Sequence, residues 1–201
     1  MFRSQLNRSK CNWAHLAVAL VLFVATPAVL CQTTKGPLDF NKADIETMRL
    51  SPSSFPQLPP AIRQELTRRG CTIPQVWGEK GPHNVIKGAF IKPGELDWAV
   101  LCSVNRISTI QIFPNASTGR VIELARQADI NRLQGEGGNQ IGYSRKISPV
   151  GGDTMIRHYQ AYDGVRPPPI DHQGIDDAFV GKASVVHYFD RGKWLELTGA
   201  D

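Results

Sequence analysis

The stretch Asp97–Val104 constrains this chain more than any other segment. Apolar side chains fall on both of its faces, Trp98, Val100 and Cys102 at one parity and Ala99 and Leu101 at the other. Successive side chains of a strand point to opposite faces of its sheet, so a strand of this kind needs cover above and below. It reads as a central strand, and its cysteine points into the structure. Residues 84–113 as a whole read as three short strands, the last being the β-rich Ile107–Phe113 (ISTIQIF).

The remaining elements are arranged around that centre. Pro59 and Pro60 open a helix whose stripe is Leu58, Ile62 and Leu66, and Gly70 is placed to stop it. Upstream, 32–58 is Pro/Ser-rich around one short amphipathic piece, 42–50, with Asn41 as its expected N-cap, and reads as a linker or an arm laid over the domain. Downstream, 114–119 is a turn and 121–133 reads as a strand followed by a turn of helix. A Gly-rich loop at 135–138 precedes a strand at 141–150, and Asp153 is placed to cap a helix carrying Met155, Ile156 and Tyr159. Gly164 and Pro167 to Pro169 end that helix, and Ala183–Asp190 with Lys193–Thr198 form a hairpin across Arg191-Gly192. Strands outnumber helices and adjoin one another in sequence. The expected fold is therefore α+β, a single domain over 59–201 with one antiparallel sheet of about five to seven strands and two or three short helices.

At 201 residues and 41% hydrophobic, the chain is long enough for one core. Its formal charge of +5 suggests nucleic acid until the distribution is inspected. Three of the 23 basic residues and none of the 18 acidic ones lie in the first 31 positions, which leaves the rest of the chain at +2. No Lys/Arg block survives there, so no nucleic-acid partner is expected.

Arg3, Arg8 and Lys10 precede a 17-residue apolar run at 14–30, the layout of a secretory signal peptide over 1–31. Cleavage after Ala28 or after Cys31 fits, and the second removes Cys11 and Cys31 together, leaving Cys71 and Cys102 as an even pair. The alternative is an uncleaved single-pass anchor. Either way the domain is expected beyond the cytoplasmic membrane, secreted or periplasmic, with no membrane insertion of its mature part. A Cys71–Cys102 disulfide there would close a loop of about 30 residues and add roughly 3–4 kcal/mol. Two buried free thiols are the other reading.

The segment Gly88-Ala-Phe90-Ile-Lys-Pro-Gly94-Glu-Leu-Asp97-Trp-Ala-Val100 resembles one repeat of the FG-GAP/VCBS type, whose units form propeller blades. The resemblance covers 88–100 and implies a strand, tight turn and strand. The positions that bind calcium in that family are Ala89, Ile91 and Pro93 here, so the resemblance implies no metal. No cofactor is expected.

Chemistry-bearing types are densest at Asp171, His172, Asp176 and Asp177, where a small hydrolase or a metal-dependent enzyme would have to be built. Their spacing matches no ligand motif, and a loop whose Asp residues stabilise turns is the competing reading. No Gly-x-Ser-x-Gly elbow, P-loop or dinucleotide fingerprint occurs. Trp77, His83, Trp98 and Trp194 are the candidates for contact with a ligand. The expectation is thus an exported, non-catalytic binding module whose partner is an envelope protein, a peptide or a glycan. Mass spectrometry of the exported protein should find a chain beginning near Val29 or Gln32, and one retaining Met1 would favour the anchored alternative.

Overall fold

The computed structural model describes residues 38–162 and 166–198. The signal segment 1–31 with its cleavage sites, residues 32–37 of the arm, and Gly164 lie outside them. The described residues form three helices, α1 (Phe40–Glu46), α2 (Pro60–Arg68) and α3 (Gly152–Tyr162), and four antiparallel sheets. One four-stranded sheet runs in chain order through β3 (Val85–Gly88), β4 (Asp97–Val104), β5 (Ile107–Phe113) and β6 (Ile122–Ala128). A second runs through β9 (Arg145–Val150), β10 (Gly174–Phe179), β11 (Ala183–Asp190) and β12 (Lys193–Thr198). Two ribbons complete the set, β1 (Arg49–Leu50) with β2 (Ile73–Pro74), and β7 (Leu133–Gly137) with β8 (Gln140–Tyr143).

The class is α+β and the pairing antiparallel, but the single sheet of five to seven strands is replaced by these smaller sheets. Asn84 supplies the physical reason. Buried and held at φ 69°, a conformation Asn tolerates, it presents its side-chain amide to β9 as a peptide group would. Its Nδ2 donates to the carbonyls of Arg145 (3.1 Å) and Pro74 (2.7 Å), and its Oδ1 accepts from Ile147 N (2.9 Å). Its backbone carbonyl meanwhile accepts from Leu101 N (3.0 Å). One side chain thus satisfies hydrogen bonds that a continuous ladder would have made, and the two sheets abut without merging.

The layering follows from the two apolar faces of β4. Trp98, Val100 and Cys102 pack with Phe55, Leu58, Ile62 and Leu66 beneath α2, so part of the segment read as an arm lies in the core. Ala99 and Leu101 face the other way, into a middle layer with Ile110, Ile112, Tyr143, Ile147 and Ile175 from both sheets and a ribbon. Beyond the second sheet, Met155 of α3 packs on Val186, Tyr188 and Leu197. Among the described residues no helix is long and apolar enough to cross a membrane.

Local expectations fared unevenly. The hairpin β11–β12 and the strand-then-helical-turn at 122–132 are observed. α1 starts earlier than expected, because Asp39 and not Asn41 is its N-cap, its carboxylate accepting from Lys42 N at 3.0 Å. The Gly-rich loop is largely strand β7, and the strand expected over 141–150 breaks at Ser144 into β8 and β9. There the main chain turns from one sheet to another, with Ser144 N donating to Arg132 O and Ser144 O accepting from Val180 N, both at 2.8 Å. The 88–100 segment holds the last residue of β3, the connection 89–96 and the first half of β4, with Gly88 opposite Asp97, so the first strand lies upstream at Val85–Gly88 and the connection is longer than a tight turn. Asp97, fully buried, spends its carboxylate on main-chain amides: Oδ2 accepts from Phe90 N (2.8 Å) and Ile91 N (2.9 Å), and Oδ1 from Asn115 N (2.8 Å).

α2 ends in a Schellman closure, Cys71 N donating to Leu66 O and Gly70 N to Thr67 O, which needs the left-handed φ of 69° that Gly70 adopts. The reversed chain lies along β4 through a Thr72–Ser103 bridge, which brings Cys71 onto Cys102. The two are disulfide-bonded, with Cα atoms 5.4 Å apart and both side chains buried. Replacing both cysteines by Ala should lower stability by about 2–5 kcal/mol, read from the midpoint of urea unfolding.

Candidate functional site

The acidic cluster of the sequence is dispersed by strand geometry. Gly174–Phe179 is not a loop but β10, so Asp176 and Asp177 point to opposite faces of the second sheet. Asp176 is half-buried beside Ser148 Oγ at 3.5 Å, and burial pushes its carboxyl above the ordinary range. Asp171 is exposed on the approach to β10, where its Oδ1 accepts from Tyr188 Oη at 3.3 Å. His172 is buried edge-on against the Tyr188 ring, and its Nδ1 faces Asp171 Oδ1 at 3.3 Å without a hydrogen bond.

Asp177 belongs to a buried hub in the middle layer. Arg145, fully buried at the start of β9, forks onto it, Nε to Oδ1 and Nη2 to Oδ2, each at 2.8 Å. Arg145 Nη1 donates to Ser108 Oγ on β5 and Nη2 to Ala125 O on β6, both at 2.9 Å, so one guanidinium joins the two sheets. His187 Nε2 at 3.8 Å and Arg132 Nη2 at 3.7 Å complete the surroundings of the carboxylate. Burial raises the Asp177 carboxyl, the His187 ring and the Arg145 fork pull it down, and the result is about 2.

A cleft of about 950 Å³ opens elsewhere, between α1, the 75–82 loop and β8. Each wall has its own anchor. α1 is held by Arg49, whose Nη2 reaches Asp44 Oδ1 and the buried Asp129 Oδ2 at 2.8 Å each, and whose Nη1 donates to Asp44 O at 2.8 Å. The loop is closed by a reciprocal pair, His83 N donating to Gln75 Oε1 (3.0 Å) and Gln75 Nε2 to His83 O (3.2 Å). The His83 ring then accepts from Val76 N at Nε2 (2.6 Å), which assigns the ring proton to Nδ1, 3.0 Å from Gly81 O. Lys146 holds both Glu79 oxygens at 2.7–2.8 Å. Trp77 is seated on β8, its N donating to Tyr143 O at 2.8 Å, and a Cβ on Gly142 would collide with its side chain.

The four ligand candidates are thereby separated. Trp98 is in the core, Trp194 is half-buried on β12 against Phe189, and the His83 ring is occupied in closing the loop. Trp77 alone of the four lines the cleft with an open ring, 51% exposed. Leu38, Met48 and Trp77, three of the eight large apolar side chains left exposed among the described residues, line this cleft, while Phe40 and Ile45 of α1 are exposed outside its lining. A concentration of that kind marks a contact surface, whereas scattered apolar residues do not. The described residues contain no group of three or more His, Cys, Asp or Glu side chains able to hold a metal ion.

No family model, curated protein or solved structure matches the chain. Replacing Arg145 by Met strands a buried carboxylate and should cost about 3–5 kcal/mol at neutral pH in urea unfolding, most of it recovered by adding Asp177→Leu. The Asp177 contribution is complete above its unfolded pKa, about 3.9, and disappears as pH falls through about 2. Acid titration of stability should show this limb in the wild type and not in the double variant.

Proposed function

We propose that this chain is a non-catalytic binding module that captures a peptide or glycan in the Trp77 cleft. The gathering of exposed apolar side chains around one anchored concavity carries this reading. Ligand sites are concave, largely preformed and lined by aromatic and aliphatic groups with a few polar ones, and the Gln75, His83 and Arg49 hydrogen bonds preform this one. A catalytic reading would need the 171–177 side chains to converge, and Asp177 is committed to Arg145 on the far face from Asp176. The buried disulfide suits an oxidising compartment, which agrees with the export signal expected over 1–31 and with a place in the cell envelope or outside the cell.

The likeness of 88–100 to an FG-GAP/VCBS repeat is part of the same proposal. It reflects a hairpin whose Asp97 accepts hydrogen bonds from two main-chain amides of its own turn, Phe90 and Ile91, and from Asn115 in the turn after β5, in chemistry unrelated to calcium. Arrays of glycans and peptides probed with the wild-type protein should reveal ligands whose affinity falls at least about tenfold in Trp77→Ala, with the melting temperature unchanged. Binding that survives the substitution in full would remove the cleft from the function.

A further inference from the structure

Resting on the cleft as the binding site, we propose that its ligand is a neutral oligosaccharide, with one sugar ring stacked on Trp77. Three observations select this chemistry over an extended peptide or a charged polymer.

The first is the platform. The Trp77 ring is half-exposed, yet its position is fixed from behind by the bond from its own N to Tyr143 O and by the close approach to Gly142. An immobile indole face carries negative charge density, and the axial C–H bonds of a pyranose present a flat, weakly positive face to it. Little ordering entropy remains to be lost on the protein side when that contact forms.

The second is the rim. Asp39, Lys42, Glu46 and Gln140 border the cleft and offer donors and acceptors of both kinds, as a polyhydroxylated ligand requires. Their charges largely offset one another: Lys42 stands 3.8 Å from Glu46, Lys146 is bound to Glu79, and Asp39 is left as a single negative charge whose carboxylate caps α1 at Lys42 N. Such a rim gives neither a polyanion nor a polycation the electrostatic complementarity that would select it.

The third is what the main chain withholds. A peptide that adds a strand needs an unpaired edge beside its side-chain pocket. Beside Trp77 the carbonyl of Tyr143 already accepts from Trp77 N (2.8 Å), and on the α1 side the carbonyl of Met48 accepts from Gln75 N (2.9 Å), where the β1–β2 pairing runs on past its registered residues. At these two points the main chain offers an incoming strand no open acceptor. A volume of about 950 Å³ lies at the upper end for small-ligand sites and suits an oligomer better than a single sugar.

The test titrates the full chain, by calorimetry, with neutral hexose and N-acetylhexosamine oligomers, with uronic acid and glucosamine oligomers as charged counterparts, and with a random peptide library as a third arm. Neutral oligomers are expected to bind, with affinity insensitive to added salt, falling at least about tenfold in Trp77→Ala and largely restored in Trp77→Phe. Binding by the charged oligomers alone, or loss of binding in salt, overturns the neutral ligand. Peptides that bind in a Trp77-dependent way while every oligosaccharide fails overturn the glycan and leave the binding cleft standing. If no arm responds to Trp77→Ala, the cleft reading falls with it.

Discussion

The fork of Arg145 on Asp177 is the interaction on which the rest of the structure depends. A guanidinium and a carboxylate withdrawn from water lose several kcal/mol of hydration each, and only close geometry with the remaining donors engaged offsets that loss. Here Ser108 and the Ala125 carbonyl engage them, and both belong to the other sheet. The pair therefore tolerates one relative placement of β5, β6, β9 and β10. An apolar filling of the same space would hold the sheets together with less discrimination among sliding registers. Asn84 acts beside it in the same sense, ending one sheet at the edge of the next with hydrogen bonds that have no alternative partner.

That fixed placement reaches the cleft through the chain itself. Arg145 and Tyr143 lie two residues apart, and the Tyr143 carbonyl is the acceptor that seats Trp77. Lys146, the next residue along, grips Glu79 at the outer end of the same loop. The opposite wall is tied to the body by Arg49 and Asp129, and Asp129 in turn accepts from Ser103 Oγ of β4 at 2.6 Å. The walls of the cleft are thus short segments, a two-turn helix, a loop and a ribbon strand, each fastened by polar contacts to the rest of the fold.

What could be read from the sequence, and what could not, follows from the same chemistry. The two-faced pattern of Asp97–Val104 gave its central position and its layers, and the Leu58, Ile62 and Leu66 stripe gave α2 and the cover on one side. The glycine stop at Gly70 and the inward parity of Cys102 pointed to the disulfide, with two buried free thiols as the other reading, and the pair is bonded. Sheet count was hidden because it depends on Asn84, a single polar residue whose partners lie 10 to 63 positions away. Residues 171–177 read as turn-forming because charge masked the alternation in Gly174–Phe179. Asp177 shares the inward parity of Ile175, and Arg145 that of Tyr143 and Ile147, so two opposite charges at inward positions were the available sign of a buried pair. Trp77 could not be ranked above Trp98 or Trp194 by composition. Its exposure is set by Gly142, far away in the chain.

The disulfide has a topological consequence for the cleft. Cys71 and Cys102 enclose Trp77, Gln75, His83 and Asn84 within one covalent ring, while α1 and β8 lie outside it. When the chain breathes, the aromatic wall stays leashed to β4 at both ends, so its excursions are those of a short loop and never those of a free terminus. The two outer walls have no such leash. Breathing of the cleft is therefore lopsided, with the covalently ringed wall held by a bond that survives when the hydrogen bonds of the other two open.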